Sequence, residues 1–291
     1  MRTKSGTNML VRLAFLCTAL LISSATSLGA APLRGTFALQ GGSASTEGHL
    51  IVTPVGSNPR NLNFDVWLTP RGSNAPIRAY DLDMTKFLHL IVVGDDFRTF
   101  YHLHPALRPN GHFALSARLP GPGVYHVYAD TVPRGFAQQV FRFDVVVGNA
   151  RPAAARDLQE RTRISRAGPY VLALSGVRLR AGTEQRLLVH VTENGRPATD
   201  LHPYLGAAAH AVFLNASDLS YAHVHPLALG ATMAEMNGPA MGAMTPAPAG
   251  ATSAPVMQLH VDLREPGTYK LWLQFRGGSH VYVAPFVLTV R

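Results

Sequence analysis

A three-histidine pattern occurs twice in this chain, at spacings too alike to be independent, and it commits the chain to two copies of one fold. The first copy reads His89-Leu-Ile-Val-Val-Gly-Asp-Asp-Phe-Arg-Thr-Phe-Tyr-His102-Leu-His104-Pro105. The second reads His210-Ala-Val-Phe-Leu-Asn-Ala-Ser-Asp-Leu-Ser-Tyr-Ala-His223-Val-His225-Pro226, at a constant offset of 121 positions. Further on, Leu119-Pro-Gly-Pro-Gly123-Val-Tyr125 matches Leu263-Arg-Glu-Pro-Gly267-Thr-Tyr269 at an offset of 144, so the second copy carries 23 extra residues between Pro226 and Met257. Self-similarity on this scale means repeated structural units. The boundaries follow: module one over 33–148, a linker over 149–167, and module two over 168–291 with an insertion within 227–256.

Inside the modules, short runs such as Val124-Tyr-His-Val-Tyr128, Val140-Phe-Arg-Phe-Asp-Val-Val146 and Leu259-His-Val-Asp-Leu263 alternate apolar and polar residues or are β-branched throughout, and turn residues bound each. Strands at this spacing, with hardly any helical period, predict an all-β chain of two tandem β-sandwich modules with about seven strands each. The linker is rich in Ala and Arg, with one helical turn expected near Asp157 to Thr162.

The N-terminus carries Arg2 and Lys4, an apolar run from Leu13 to Ile22 and a small-residue stretch to Ala31. Such a segment, too short to span a bilayer comfortably, reads as a secretory signal peptide over 1–31. A periplasmic or secreted protein with no stable membrane span in the mature chain is expected. Cys17, the single cysteine, falls inside that signal. Disulfides, thiolate zinc sites, iron–sulfur clusters and a blue-copper centre are thereby excluded from the mature chain. The net charge is +9, but the arginines are scattered and form no basic stripe, which argues against nucleic-acid binding.

Side chains alternate along a strand, so His102 and His104 face one way, as do His223 and His225. If residues 88–93 and 100–104 form a hairpin, His89 lies across from His104, and the same register sets His210 across from His225. Three imidazoles then meet in each module. Compact nitrogen clusters suit copper or, less well, zinc. The expected metal ligands are therefore His89, His102 and His104 at one site and His210, His223 and His225 at another. Met233, Met236, Met241 and Met244 cluster in the insertion, where thioethers suit Cu(I), although a low-complexity loop would carry them as well. Histidine pairs on strands also hold sandwiches together, so a non-enzymatic structural or protein-interaction module is the alternative. No nucleophile elbow or nucleotide loop points to an enzyme.

The His-Leu-His-Pro and His-Val-His-Pro motifs, with Asp200-Leu-His-Pro-Tyr-Leu-Gly206 ahead of His210, resemble those of bacterial secreted proteins with tandem immunoglobulin-like or cupredoxin-like domains, YtkA-like modules among them. The resemblance implies metal handling, especially of copper, in the cell envelope, with another envelope protein as a possible partner. The missing cysteine departs from true cupredoxins, so electron transfer through a type 1 site is not implied.

Overall fold

The computed structural model describes residues 37–38, 45–158, 163–176, 178–229 and 250–291. The proposed signal peptide and the four methionines of the insertion lie outside them. Among the described residues no helix is long and apolar enough to cross a membrane.

Module one contains β1(Phe37–Ala38), β2(Thr46–Val55), β3(Asn58–Pro70), β4(Tyr80–Asp81), β5(Leu88–Gly94), β6(Phe100–Leu103), β7(Ala106–Leu107), β8(Phe113–Arg118), β9(Gly123–Pro133) and β10(Gln139–Val147). They form two antiparallel sheets, β2-β3-β8-β7 and β1-β10-β9-β5-β6, with β4 added on β9. Module two contains β11(Ile164–Ala167), β12(Tyr170–Gly176), β13(Glu184–Glu193), β14(Arg196–Pro197), β15(Leu201–His202), β16(Ala209–Asn215), β17(Tyr221–Val224), β18(Leu227–Ala228), β19(Val256–Asp262), β20(Gly267–Gly277) and β21(His280–Val290). Its sheets are β11-β12-β13-β19-β18 and β15-β20-β16-β17, with β14 on β13 and β21 on β20. The expected tandem of all-β sandwiches is what forms. Module two starts earlier than its composition suggested, because residues 164–167 of the expected linker pair with β12 as an edge strand.

The two modules do not sit apart as beads. In β5, Leu88, Leu90 and Val92 enter the core of module one, while Ile91 and Val93 enter a third core shared by the modules. The equivalent β16 divides in the same way, with Ala209, Ala211 and Phe213 in its own core and Val212 and Leu214 in the shared one. Tyr128 of β9 and Trp272 of β20 complete the pattern. A strand buried on both faces reads as a continuous apolar run rather than an alternation. This run stacks the four sheets in one pile, and each large side chain buried in the shared core contributes roughly 1.5–3 kcal/mol.

Aromatic pairs close the seam. Phe100 stacks on Trp272 with ring centroids 5.1 Å apart, and Tyr221 stacks on Tyr128 at 4.8 Å. The chain joining the modules is tied down beside them. Ala153 N–H donates to Asp95 Oδ2 at 2.8 Å, Arg156 Nη2 donates to Asp95 Oδ1 at 2.9 Å, and Lys270 Nζ donates to the Asp157 carbonyl at 3.0 Å. No helical turn is seen at Asp157 and Leu158; the rest of the turn expected there lies outside the described residues.

Candidate metal centre

Strand register delivers each histidine to the seam. The hairpin β5–β6 pairs Leu90 with Leu103, and β16–β17 pairs Ala211 with Val224, the register expected from the sequence. On the other side of each hairpin's first strand, His89 pairs with Asp130 of β9, and His210 pairs with Gln274 of β20. His89 and His210 therefore share a face with Ile91 and Val212, the face that the opposite module covers. His104 and His225 stand one residue beyond β6 and β17, just before Pro105 and Pro226.

The expectation of two separate three-histidine sites does not hold. All six rings meet in one place. His89 lies 5.0 Å from His223 and 6.0 Å from His210 between ring centroids, and His102 lies 5.1 Å from His210 and 5.0 Å from His223. Within the modules, His104 is 4.6 Å from His102, and His225 is 4.5 Å from His223. The physical reason is the second apolar face of β5 and β16. Burying that face against its copy brings the open ends of both hairpins together.

Main-chain carbonyls fix which nitrogen carries the proton in two of the four central rings. A carbonyl only accepts, so His89 Nε2, 3.2 Å from the Asp83 carbonyl, and His210 Nε2, 3.0 Å from that of Tyr204, are both N–H donors. His102 Nδ1 donates across the seam to Gln274 Oε1 at 2.9 Å. His223 Nδ1 points across in the opposite sense, 3.4 Å from Asp130 Oδ2 but without a hydrogen bond. The inner nitrogens then face each other: His89 Nδ1 against His102 Nε2 at 2.8 Å, both lone pairs with the outer protons placed as above, and the lone pair of His210 Nδ1 against His223 Nε2 at 3.3 Å. Lone pairs at such distances repel unless a proton or a cation lies between them.

A shared proton is disfavoured by burial. Desolvation, reinforced by the neighbouring imidazoles, lowers the pKa of His102, His210 and His223 well below 6.5, and desolvation also lowers that of His89 against the opposing pull of Asp83. Burial pushes His104 and His225 down to about 3. A metal cation satisfies four converging lone pairs where protons cannot. Ligand atoms of His89, His102, His210 and His223 all lie within 4.8 Å of one another, and so do those of Asp83, His223 and His225. Metal-binding histidines typically hold their second N–H to a carbonyl or carboxylate. Three of the four central rings have such a partner here, and the Asp130 carboxylate stands 3.4 Å from the fourth, His223.

Asp83, Asp130, Tyr204 and Gln274 were not singled out in the sequence. Asp130 and Gln274 are related by the same 144-residue offset as Tyr125 and Tyr269, so extending that match by five residues would have exposed a polar residue in each apolar strand. The loops at Asp83 and Tyr204 place Met84 and Leu205 at φ 56° and 49°, a left-handed conformation such residues rarely adopt. Strain of this kind persists where surrounding structure demands it, and here the demand is a carbonyl aimed at a histidine. The other histidines have local partners away from the centre: His49 with Thr69, His112 with Asp65, His126 with Asp95 and Asp144, His190 with Ser175, His202 with the Ala251 carbonyl, His260 with Glu184 and His280 with Ser279. Met257, at the end of the insertion, is a core residue of β19.

A family model described as a domain of unknown function, DUF8832, matches residues 47–149 and 165–291. The chain belongs to that family. The two matched segments coincide with the two sandwiches. No curated protein matches the chain. Among solved structures, a mutant of Salmonella alpha-2-macroglobulin is similar at 13% identity over 84% of this chain, with a TM-score of 0.22. The match covers 15% of that much longer protein, and at such a score it carries no argument.

Proposed function

We propose that this chain is an exported metal-binding protein of the cell envelope that handles copper at one composite centre, shared by its two modules. The observation that carries the reading is the set of four buried imidazoles, three of them hydrogen-bonded through the outer nitrogen, whose ligand atoms lie within 4.8 Å of one another. Imidazole nitrogen suits copper and zinc alike, and among divalent first-row ions copper(II) binds such donors most tightly. The resemblance to envelope copper-handling proteins and the methionines of the insertion favour copper over zinc. Binding rather than catalysis is supported by the burial of His89 and His210, both 0% exposed, which leaves a substrate no approach to those rings.

Competition titration of the metal-free chain with Cu(II) and Zn(II) tests this. His102→Ala combined with His223→Ala removes one central ligand from each module and is expected to weaken copper binding by on the order of 1,000-fold, about 4 kcal/mol. A second reading is favoured by His102 and Gln274, which bond across the seam: the histidines are there to dock the modules. It predicts that the same double variant melts at a lower temperature, with no dependence on metal in either protein.

A further inference from the structure

The four-imidazole centre leaves ligands over. His225 Nε2 and His104 Nε2 are buried without a hydrogen-bond partner. A buried polar atom left unpaired is costly, and with His223 Nδ1 three of them stand at one site, which needs a reason. For His225 the structure supplies one. Its ring lies 4.7 Å from His210 and 4.5 Å from His223, and Asp83 brings a carboxylate to the same spot. The ligand atoms of Asp83, His223 and His225 lie within 4.8 Å of one another. His104 has no such carboxylate, because Tyr204 occupies the position in module two that Asp83 holds in module one.

We infer that the centre holds two cations, the second on Asp83, His223 and His225, beside the four-imidazole seat. A mixed oxygen and nitrogen donor set suits a borderline divalent ion such as Zn(II) better than it suits Cu(I). The inference rests on the metal-binding reading and adds a second, asymmetric seat to it. His223 belongs to both donor sets and serves both ions as a bridging imidazolate, Nε2 on the first and the otherwise unpartnered Nδ1 on the second, so the two ions are neighbours. The Nδ1 proton passes to the Asp130 carboxylate 3.4 Å away. Asp83 also ties the sets together through the main chain, since its own carbonyl accepts from His89 Nε2. One short loop thus orients a ligand of the first ion and supplies a ligand to the second.

The test is stoichiometry on the full chain. Metal-free protein is saturated with Zn(II), passed through gel filtration and analysed by mass spectrometry for zinc per chain. Two zinc ions are expected in the wild type and one in an Asp83→Asn, His225→Gln variant. One ion in the wild type overturns the second seat while the four-imidazole centre stands. Two ions in both proteins also overturn it, because the second ion then binds elsewhere. No zinc overturns the second seat, and no copper in a parallel titration overturns the reading beneath it as well. Should the double variant fail to fold, the near-isosteric Asp83→Asn alone carries the comparison, together with anomalous diffraction from Zn(II)-soaked wild-type crystals. A single peak there, away from Asp83, sinks the inference.

Discussion

The two halves of the seam are alike where they touch the converging lone pairs and different just behind. Each half gives three histidines at the same spacing and one main-chain carbonyl from a loop with a left-handed residue. Behind them, Asp83 faces Tyr204, Asp130 faces Gln274, Tyr128 faces Trp272 and Phe100 faces Tyr221 across the pseudo-symmetry. Pairing has diverged in a complementary way: the smaller Phe100 packs on the larger Trp272, and the two tyrosines pack on each other. Duplication built the donor set, and divergence then specialised its surroundings without unsettling the fit.

What the halves share should dominate their response to acid. In the unfolded chain the six histidines take up protons below about pH 6.5, whereas burial keeps them neutral in the folded chain, His104 and His225 down to about pH 3. Unfolding therefore binds protons across that window, and stability falls as pH falls, by about 1.4 kcal/mol per pH unit for each such proton. Asp83 and Asp130 work the other way. Burial raises both to about 6, so between that value and about 3.9 the folded chain holds the extra proton and regains part of the loss. Six groups outweigh two. The urea midpoint of the metal-free chain is expected to drop steeply between pH 7 and pH 5, and copper is expected to shift the drop to lower pH. A flat profile would mean that water reaches the rings.

The aromatic seam ranks next. Trp272→Ala opens a cavity against Phe97 and Phe100 and should cost about 3–5 kcal/mol, with small-angle scattering reporting whether the modules separate. Its counterpart in module one permits a finer cut. Tyr128→Phe keeps the ring on Tyr221 and removes only the hydroxyl that donates to the Leu219 carbonyl at 3.0 Å, a loss of about 1 kcal/mol. Equal costs at the two positions would show that the seam is held by polar contacts rather than by packing.

The sequence made the strands, the hairpin register and the convergence of three histidines in each module legible, because those depend on periodicities of two and on turn spacing. It hid the meeting of the modules. Ile91, Val93, Val212 and Leu214 look like ordinary interior residues of a sandwich, and nothing in a run of β-branched residues says that its second face is covered by another copy of itself. The carbonyls of Asp83 and Tyr204 were invisible for a different reason. Any residue has one, and only the loop geometry aims it at a histidine. The bond from His102 to Gln274 and the approach of His223 to Asp130 required both facts at once, since each crosses the seam.

The exchange at Asp130 and Gln274 is the subtlest difference and can be probed with a single atom change. Asp130 is fully buried, accepts from Gln138 Nε2 at 2.6 Å and from Tyr221 Oη at 3.2 Å, and lies 3.4 Å from His223 Nδ1. Burial pushes its carboxyl up to about 6, so holding it ionised near neutral pH costs the metal-free fold something. Once His223 Nε2 binds a cation, its Nδ1–H becomes a better donor and the carboxylate turns into an asset. Asp130→Asn makes module one neutral, like module two. It is expected to lower copper affinity by about 10-fold, the lower end for a partner that orients a ligand, while urea stability of the metal-free chain at pH 7.5 holds or rises. If affinity and stability instead fall together, Asp130 is a structural anchor for Gln138 and Tyr221, and the polarity of the two halves has no bearing on the metal.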